Sequence, residues 1–589
     1  MMKKTWLLLL STALVAVSAC SGQNPPAETT SAAAQSTVSE TTAGSPSQPE
    51  ESESVSDTAP AEENAALKQT QFGPVNGIEK DGALVWYGIP YGKEPSGDLR
   101  WSAPQNPDPW TEAYDASQPA ETAMQLGGDG IIGTEDCLNL DVYSTEGAEN
   151  LPVMVFLHGG NNQTGNPREI PGEEMVVKND MVFVSVNYRL GLLGFNCLPA
   201  LQTAEDSTGN YALLDIAQAL DWVKDNIGQF GGDPDNITIS GFSAGGRDVM
   251  AMLISPLFEG KFQKAIAFSG GMTIADENLS AAKIAEAIAP LAVEDKKAED
   301  EEAAAKWLLG TEDEVREYLY GLSPERLCAL MGNAGIRMSV FPHLYGDDAV
   351  LPADGFDTKH YNQVPVLMLT GTTEFSMFAY GDPYYSGQDT AALSQEELEQ
   401  AKNFAISYGS QMYGYFNAEA SAQRMAPHYT APIYLCSINY GAPDSAYPIP
   451  VYGAFHGIFV PMLSTENNYA AMIPDTFDQP AYMSMADAFN QYLKNFLYTG
   501  DPNGDNLTTW EAWTPESHLS MVFDGADEQA VIECKSVATT YEDIMDNMDA
   551  DTTLDPKIKE GVISQVMNGR WFSDALDQRY KTKNLWQQP

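Results

Sequence analysis

The stretch ITISGFSAGG at residues 237–246 decides the fold. A short β-branched run leads directly into a Gly-x-Ser-x-Gly pentapeptide, and the small residues that follow are typical of a helix start. In such a strand–turn–helix context Ser243 lies on a sharp turn, with its hydroxyl exposed at the end of a sheet strand. Gly241 and Gly245 suit the turn because strand and helix approach too closely there for a β-carbon. The stretch therefore predicts a nucleophilic serine, provided that the other parts of a catalytic site are present.

Strand and helix patterns alternate along most of the chain. The predicted buried strands are 152–157, 181–187, 237–240, 264–268, 364–370 and 431–438. Helical spacing of apolar residues covers 211–228 and 246–254, and the acidic, alanine-rich stretch 293–309 predicts a solvent-exposed helix. Strands that alternate with helices are typical of an α/β fold around a largely parallel sheet, whose strands are covered on both faces.

The N-terminus has the pattern of an export signal. Lysines at 3–4 precede an apolar stretch at 6–17 that is too short to span a bilayer. The stretch ends in Val-Ser-Ala-Cys at 17–20, which resembles a bacterial lipobox. We therefore expect 1–19 to be a lipoprotein signal peptide and Cys20 to be lipidated. An ordinary cleaved signal peptide is the alternative.

A tether and one large domain are predicted to follow. Residues 20–66 are rich in Ser, Thr, Ala, Pro and Glu and contain no aromatic residue. Such a segment buries too little apolar surface to offset its chain entropy, so we expect it to be disordered. No second linker of this kind divides residues 67–589, which predicts a single domain. The expected location is outside the cytoplasm, anchored to the cell membrane by lipid on Cys20.

Charge and cysteine usage exclude several classes of protein. The formal net charge is −51, from 82 acidic and 31 basic residues. A chain so acidic repels phosphate backbones, which excludes nucleic acid as a partner and favours a role in solubility. The cysteines after Cys20 are odd in number, and no CxxC or Cys/His cluster predicts a metal site. Free, mostly buried thiols are expected.

An elbow serine needs a base to accept its proton, and histidine is the natural one because its pKa lies near working pH. His456 is the best candidate among six histidines, because it lies in a glycine-flanked loop after the strand at 431–438. His428 precedes that strand and so falls at the wrong end. A purely structural role for His456 is the alternative.

The acid that orients the base should follow a strand between the serine and the histidine. Glu374 comes directly after the strand at 364–370 and is the predicted acid. Asp347 and Asp348 precede this strand, and Asp382 lies farther along the chain. The choice rests on position in the sequence, not on chemistry.

Besides the serine, the base and the acid, the catalytic site needs donors of hydrogen bonds to the oxyanion. His-Gly-Gly-Asn at 158–161 follows a predicted strand directly, and glycines there let backbone N–H groups face a carbonyl oxygen as it becomes an alkoxide. Ala244, the residue after the nucleophile, supplies a further N–H. No cofactor or metal is expected to take part.

Here the chain resembles the type B carboxylesterases, the α/β-hydrolase group that includes the cholinesterases. The segments that carry the resemblance are YGIPYG (87–92), EDCLNLDVY (135–143), NYRLGLLGF (187–195), GNYALLD (209–215), FGGDPDNITISGFSAGG (230–246) and NFLYTGDPN (495–503). The resemblance implies an α/β-hydrolase fold with insertions around the active-site entrance. It also implies the roles of nucleophile, acid and base for Ser243, Glu374 and His456, and positions Gly160, Asn161 and Ala244 as oxyanion donors.

The charged residues in these segments have another expected role. Glu135, Arg189 and Asp233 are interpreted as members of scaffold salt bridges and turns, not as catalytic groups.

The chain departs from the family pattern at several positions. Phe242 replaces the usual glutamate of the elbow, which predicts a more apolar site, and Asn161 replaces a third glycine in the oxyanion loop. The loop that carries Glu374 is about two residues shorter than the usual form. The family's disulfide partner of Cys137 is missing, with Ala123 near its expected place, so Cys137 is expected to be a free thiol.

The sequence thus predicts a membrane-tethered bacterial serine esterase of small-molecule esters, with no obligate protein partner evident. Two alternatives stay open. A lipase, or a hydrolase of amides or thioesters, would use the same machinery. A catalytically silent binding protein of the same superfamily would normally lack the serine or the histidine, whereas here all three triad positions are filled.

Overall fold

The computed structural model describes residues 64–203, 207–332, 335–467, 469, 473 and 475–582. The predicted signal peptide, the predicted lipidation site Cys20, almost all of the predicted tether and the last seven residues lie outside the described residues. No helix among those described is long and apolar enough to cross a membrane. Residues 64–66, assigned to the tether from composition, contact the body, since the Ala66 carbonyl accepts a hydrogen bond from Trp86 Nε1 at 2.6 Å.

A mixed sheet, which has eleven strands among the described residues, forms the centre of the molecule. Its strands, numbered in chain order, are β1 (Ile78–Lys80), β2 (Ala83–Pro90), β3 (Asn139–Ser144), β4 (Leu151–Leu157), β5 (Val182–Val186), β6 (Gly232–Phe242), β7 (Lys264–Phe268), β8 (Val366–Gly371), β9 (Ile433–Ile438), β10 (Leu519–Ala526) and β11 (Gln529–Ser536). The spatial order is β11-β10-β9-β8-β7-β6-β4-β5-β3-β2-β1.

The middle of this sheet is parallel. Neighbours from β5 through β10 pair in parallel, while β1, β2, β3 and β11 add antiparallel strands at the two edges. Because parallel strands share one carboxyl edge, the residues that follow β4, β6, β7 and β8 meet there. The predicted α/β fold with a largely parallel sheet is confirmed.

Helices join the strands and cover the sheet. The described α-helices are Glu173–Asn179, Gly191–Gly194, Tyr211–Asn226, Ala244–Ile254, Glu277–Glu294, Glu301–Leu308, Asp313–Gly321, Pro324–Cys328, Ser376–Tyr380, Gln395–Asn417, Glu419–Met425, Val460–Leu463, Pro480–Thr499, Tyr541–Ala550, Pro556–Val562 and Asp574–Tyr580. The long helix Gln395–Asn417 begins with a capping box, in which Ser394 and Glu397 satisfy each other's backbone N–H groups. The other described strands form a small three-stranded sheet and a hairpin beside the main sheet.

Apolar cores lie on both faces of the sheet. Alternate residues of β4 belong to different cores: Val153, Val155 and Leu157 pack on one side, and Met154 and Phe156 on the other. This division follows from the period of two along a strand. It also explains why the run at 151–157 is apolar throughout instead of alternating with polar residues.

The predicted helix at 293–309 is wrong in its bounds. One helix ends at Glu294, and the next begins at Glu301, where the Asp300 side chain accepts from the N–H of Ala303. Lys296 between them adopts a φ of 59°, which breaks the helical path. An aspartate in this position caps a new helix better than it continues an old one.

The cysteines within the described part of the chain are unpaired, as expected. Cys137, Cys197 and Cys436 are buried free cysteines, and Cys328 and Cys534 are partly exposed free cysteines.

Candidate active site

Ser243 lies on the sharp turn between β6 and the helix Ala244–Ile254. Its φ is 56° and its ψ is −111°, a backbone conformation that is strained for a residue with a β-carbon. A β-carbon on Gly241 would lie 2.3 Å from the backbone of Gly245, and one on Gly245 would lie 2.1 Å from the Leu157 carbonyl oxygen. The two glycines therefore allow the close approach that raises Ser243 to the edge of the sheet.

Glu374 and His456 form a buried pair at the same edge. His456 Nδ1 lies 2.5 Å from Glu374 Oε2. The other carboxylate oxygen, Oε1, accepts from Ser269 Oγ and from the Gly371 N–H, each at 2.6 Å. A carboxylate that accepts several hydrogen bonds is held in one orientation, so it also fixes the imidazole.

Three aromatic rings surround the His456 imidazole. Ring centroids lie 4.8 Å away for Phe242, 5.3 Å for Phe378 and 5.6 Å for Tyr413. Because Phe242 immediately precedes Ser243, this contact places the imidazole beside the elbow. His456 Nε2 is buried and has no hydrogen-bond partner among the described residues.

The loop after β4 lies against the elbow. A β-carbon on Gly159 would lie 3.2 Å from the Ser243 β-carbon. Gly160 and Asn161 adopt φ values of 106° and 60°. The backbone N–H groups of Gly160, Asn161 and Ala244 donate to no described residue. The structure thus brings the sequence-predicted donors and the serine to one place.

Glu169 is a partly buried acid that the sequence did not reveal. Its Oε2 accepts from the Gly159 N–H at 2.8 Å, and burial raises the pKa of its carboxyl to about 7. This bond anchors the loop from outside the site. His158, in the same loop, is also buried, which lowers its pKa to about 4 and keeps the imidazole neutral. No pattern in the sequence links Glu169 to the loop.

Ser269 and Arg247 were also missed. Ser269 follows β7 directly, so its position at the carboxyl edge could have been inferred from the strand pattern. Arg247 lies one helical turn after the nucleophile, and its Nη2 donates to Asn161 Oδ1 at 3.2 Å.

The competing candidates have structural partners elsewhere. Asp347 accepts backbone N–H groups in its own loop, and Asp382 pairs with Arg337 at 3.0 Å and Arg570 at 2.6 Å. The backbone carbonyl of His428 accepts a hydrogen bond from the Gln363 side chain.

The charged residues Glu135, Arg189 and Asp233 form the expected scaffold. Glu135 pairs with Arg100, and Arg189 pairs with Asp215, each at 2.6 Å. The Asp233 side chain accepts from the Asp235 N–H at 2.9 Å and so closes a turn. The interpretation of these residues as salt bridges and turns is confirmed.

An elbow serine, a buried Glu–His pair and unpaired backbone donors on one sheet edge define a hydrolase of the α/β-hydrolase fold. A sequence profile described as "Carboxylesterase family" matches residues 64–408. The chain belongs to the carboxylesterase family, and it is a carboxylic ester hydrolase.

Individual relatives agree with this assignment. The chain is 28% identical to the para-nitrobenzyl esterase of Bacillus subtilis over 482 residues, which cover 77% of this chain and 94% of that protein. It is 42% identical over 217 residues to the juvenile hormone esterase of Tribolium castaneum, covering 35% and 36% of the two chains. A solved Geobacillus stearothermophilus carboxylesterase is similar with a TM-score of 0.63 and 26% identity, covering 80% of this chain and 98% of that one.

Proposed function

We propose that the chain hydrolyses small-molecule carboxylic esters through an acyl-enzyme on Ser243, with His456 as base and Glu374 as the acid that orients it. One observation carries the proposal. The Glu374 carboxylate holds Nδ1 of a buried imidazole at 2.5 Å, and the opposite nitrogen, Nε2, has no partner among the described residues. That nitrogen is therefore available to the elbow serine.

Acylation begins with attack of Ser243 Oγ on the ester carbonyl carbon. His456 Nε2 takes the hydroxyl proton, and the Glu374 carboxylate stabilises the imidazolium that forms. The carbonyl oxygen becomes negatively charged and accepts hydrogen bonds from the N–H groups of Gly160, Asn161 and Ala244. Each donor of this kind contributes roughly 3 kcal/mol to the transition state.

Collapse of this intermediate breaks the ester bond. The alcohol leaves with the proton from His456, and the acyl group stays on Ser243. Water then attacks the acyl carbon while His456 acts again as base, which releases the carboxylic acid and restores the hydroxyl. All of these steps use side chains and backbone groups of this chain.

The experiment that tests the proposal is hydrolysis of p-nitrophenyl esters of increasing acyl length by the full chain. We expect turnover with wild type and its loss in Ser243→Ala at an unchanged melting temperature. A folded wild type that hydrolyses none of these esters would contradict the proposal and favour a binding role.

The same assay separates the alternative hydrolases. A rate that rises steeply when the substrate aggregates would indicate a lipase. Comparable rates on matched esters and anilides would indicate an amidase. For an esterase that acts on dissolved esters, we expect the rate to saturate below the concentration at which the substrate aggregates. We also expect slow cleavage of the anilides.

We propose further that the enzyme is a bacterial lipoprotein, held outside the cytoplasm at the cell membrane by lipid on Cys20. The support is the basic start, the short apolar run and the Val-Ser-Ala-Cys at 17–20. Labelling of the chain with radioactive palmitate in a bacterial host tests this, with Cys20→Ala as the unlabelled control. Equal labelling of the two chains would overturn it.

A further inference from the structure

Arg247 places a buried positive charge beside the candidate nucleophile. The backbone N–H of Arg247 donates to the Ser243 carbonyl at 3.0 Å, so Arg247 lies one helical turn after Ser243. The residue is 2% exposed. Its Nη2 donates to the side chain of Asn161, whose backbone N–H is one of the proposed oxyanion donors. Asn161 therefore joins the guanidinium to the reaction centre.

Among the described residues no carboxylate forms a salt bridge with this guanidinium, although the neighbouring Asp248 attracts it electrostatically. Nη1 is buried and has no hydrogen-bond partner among the described residues. The neighbouring Asp248 turns its Oδ1 to Asn162 Nδ2 at 2.8 Å, and burial raises the pKa of its carboxyl to about 7. Burial lowers the pKa of Arg247 to about 10, so the guanidinium stays charged at neutral pH. A charge that is buried without a salt-bridge partner is costly, and an anion that binds it offsets part of this cost.

A second unsatisfied donor lies against the first. The Trp571 ring stacks on the guanidinium, 4.0 Å from its carbon to the ring centroid. Trp571 is 2% exposed, and its indole Nε1 is buried without a partner among the described residues. The ring of His343 packs on Trp571 with centroids 4.9 Å apart. Burial lowers the pKa of His343 well below its ordinary value, so it adds no second positive charge.

We propose that the Arg247 guanidinium and the Trp571 indole N–H bind a carboxylate of the substrate, so that the enzyme prefers esters that carry a carboxylate near the scissile bond. This inference rests on the proposed function, because it places the carboxylate relative to Ser243. Guanidinium and carboxylate match in shape as well as charge, and hydrogen bonds between ionised partners are about twice as strong as neutral ones. Monoesters of short dicarboxylic acids fit this description.

The kinetic test uses two esters of similar size and opposite polarity. The full chain is assayed with the mono-p-nitrophenyl ester of glutaric acid and with p-nitrophenyl pentanoate. We expect wild type to favour the anionic ester, and Arg247→Met to lower the ratio of the two kcat/KM values by roughly 10- to 100-fold. Trp571→Phe keeps a stacking ring but loses the N–H, and it should lower the ratio by less.

A matched control separates this effect from a general loss of arginine. Arg316 also stacks on a ring, that of Tyr320 at 5.5 Å, but its Nη1 donates to the Ala200 carbonyl. Arg316→Met should leave the ratio as in wild type. Both arginine variants must first show cooperative thermal unfolding.

Direct binding makes the test independent of turnover. Calorimetry of Ser243→Ala with glutarate should give saturable binding that is lost in Ser243→Ala/Arg247→Met. Hydrolysis of both esters with equal preference, and no glutarate binding, would overturn the inference while leaving the proposed function intact. Glutarate binding without hydrolysis of either ester would overturn the proposed function instead.

Discussion

Phe242 packs against the imidazole of His456, with ring centroids 4.8 Å apart and planes inclined by 34°. The family pattern has a glutamate at this elbow position, so here an apolar ring replaces a charge beside the proposed base. Phe242 also contacts Phe459, with centroids 5.1 Å apart, and is 2% exposed. The base therefore has apolar neighbours, and Glu374 is the carboxylate that holds it.

Phe242 should contribute strongly to stability. Phe242→Ala removes a buried ring, and such truncations destabilise by about 3–5 kcal/mol. Phe378 also contacts His456 but is only partly buried, which makes Phe378→Ala the matched control. We expect the melting temperature to fall further for Phe242→Ala than for Phe378→Ala. An equal or smaller fall would show that the ring at 242 is not a packing element.

Glu374 should matter far more than the serine that supports it. Glu374→Gln removes the charge that stabilises the imidazolium, and we expect kcat to fall roughly 10⁴-fold on p-nitrophenyl esters. Ser269→Ala removes one donor to the same carboxylate and should lower kcat roughly tenfold. Similar losses in the two variants would argue that the carboxylate serves packing and not catalysis.

The oxyanion loop should not tolerate a β-carbon at Gly160. Such a carbon would lie 2.1 Å from the Thr164 carbonyl oxygen, so the loop must move and its N–H groups with it. For Gly160→Ala we expect kcat to fall by about 10²–10³-fold. Gly147 is the control, because it also has a positive φ, of 75°, but open space where a β-carbon would stand. An unaltered kcat in Gly160→Ala would mean that the N–H groups of this loop do not stabilise the transition state.

Stability should depend on pH through Asp248. Burial raises the pKa of its carboxyl to about 7, so the folded chain keeps a proton that the unfolded chain releases above about pH 4. This contribution to stability is complete at low pH and is lost as pH rises through 7, about 3 kcal/mol between pH 5 and pH 8. Asp248→Asn has no carboxyl group to ionise, so its stability should not fall in this way.

The measurement is a pair of melting curves at pH 5 and pH 8. The melting temperature of Asp248→Asn minus that of wild type should be larger at pH 8 than at pH 5. The exposed Asp505→Asn should show no such change. A constant difference for Asp248→Asn would mean that the carboxyl is already ionised at pH 5 in the folded chain.

The parallel strands β4 to β9 were largely predictable, because strands covered on both faces are apolar throughout. The strands β1, β2, β3, β10 and β11 were not predicted. Four predicted strands differ from β4, β5, β8 and β9 by at most two residues at either end, and the prediction for β7 has the observed bounds. The start of β6 was not predicted. It pairs with β4 already at Gly232, before an irregularity that precedes Ile237, and this polar segment has no apolar pattern. The helix break near 295–300 depends on one capping aspartate, and the composition of the stretch does not indicate it.

The site was predictable where chain order fixes it. Ser243, Glu374 and His456 each follow a strand of the sheet, so position in the chain sufficed to place them at one edge, while their catalytic roles stay predictions. Glu169 and Arg247 contact the loop after β4 from positions that no sequence pattern links to it. No spacing rule reports such contacts, and only the folded structure reveals them.

Covalent labelling shows directly whether Ser243 is the nucleophile. The full chain is treated with diethyl p-nitrophenyl phosphate, which phosphorylates an activated serine and releases p-nitrophenolate. We expect one diethylphosphoryl group per chain on the peptide that contains Ser243, loss of esterase activity in proportion, and no label in Ser243→Ala. Complete inhibition with the label on another residue, or esterase activity that persists in Ser243→Ala, would contradict this role of Ser243.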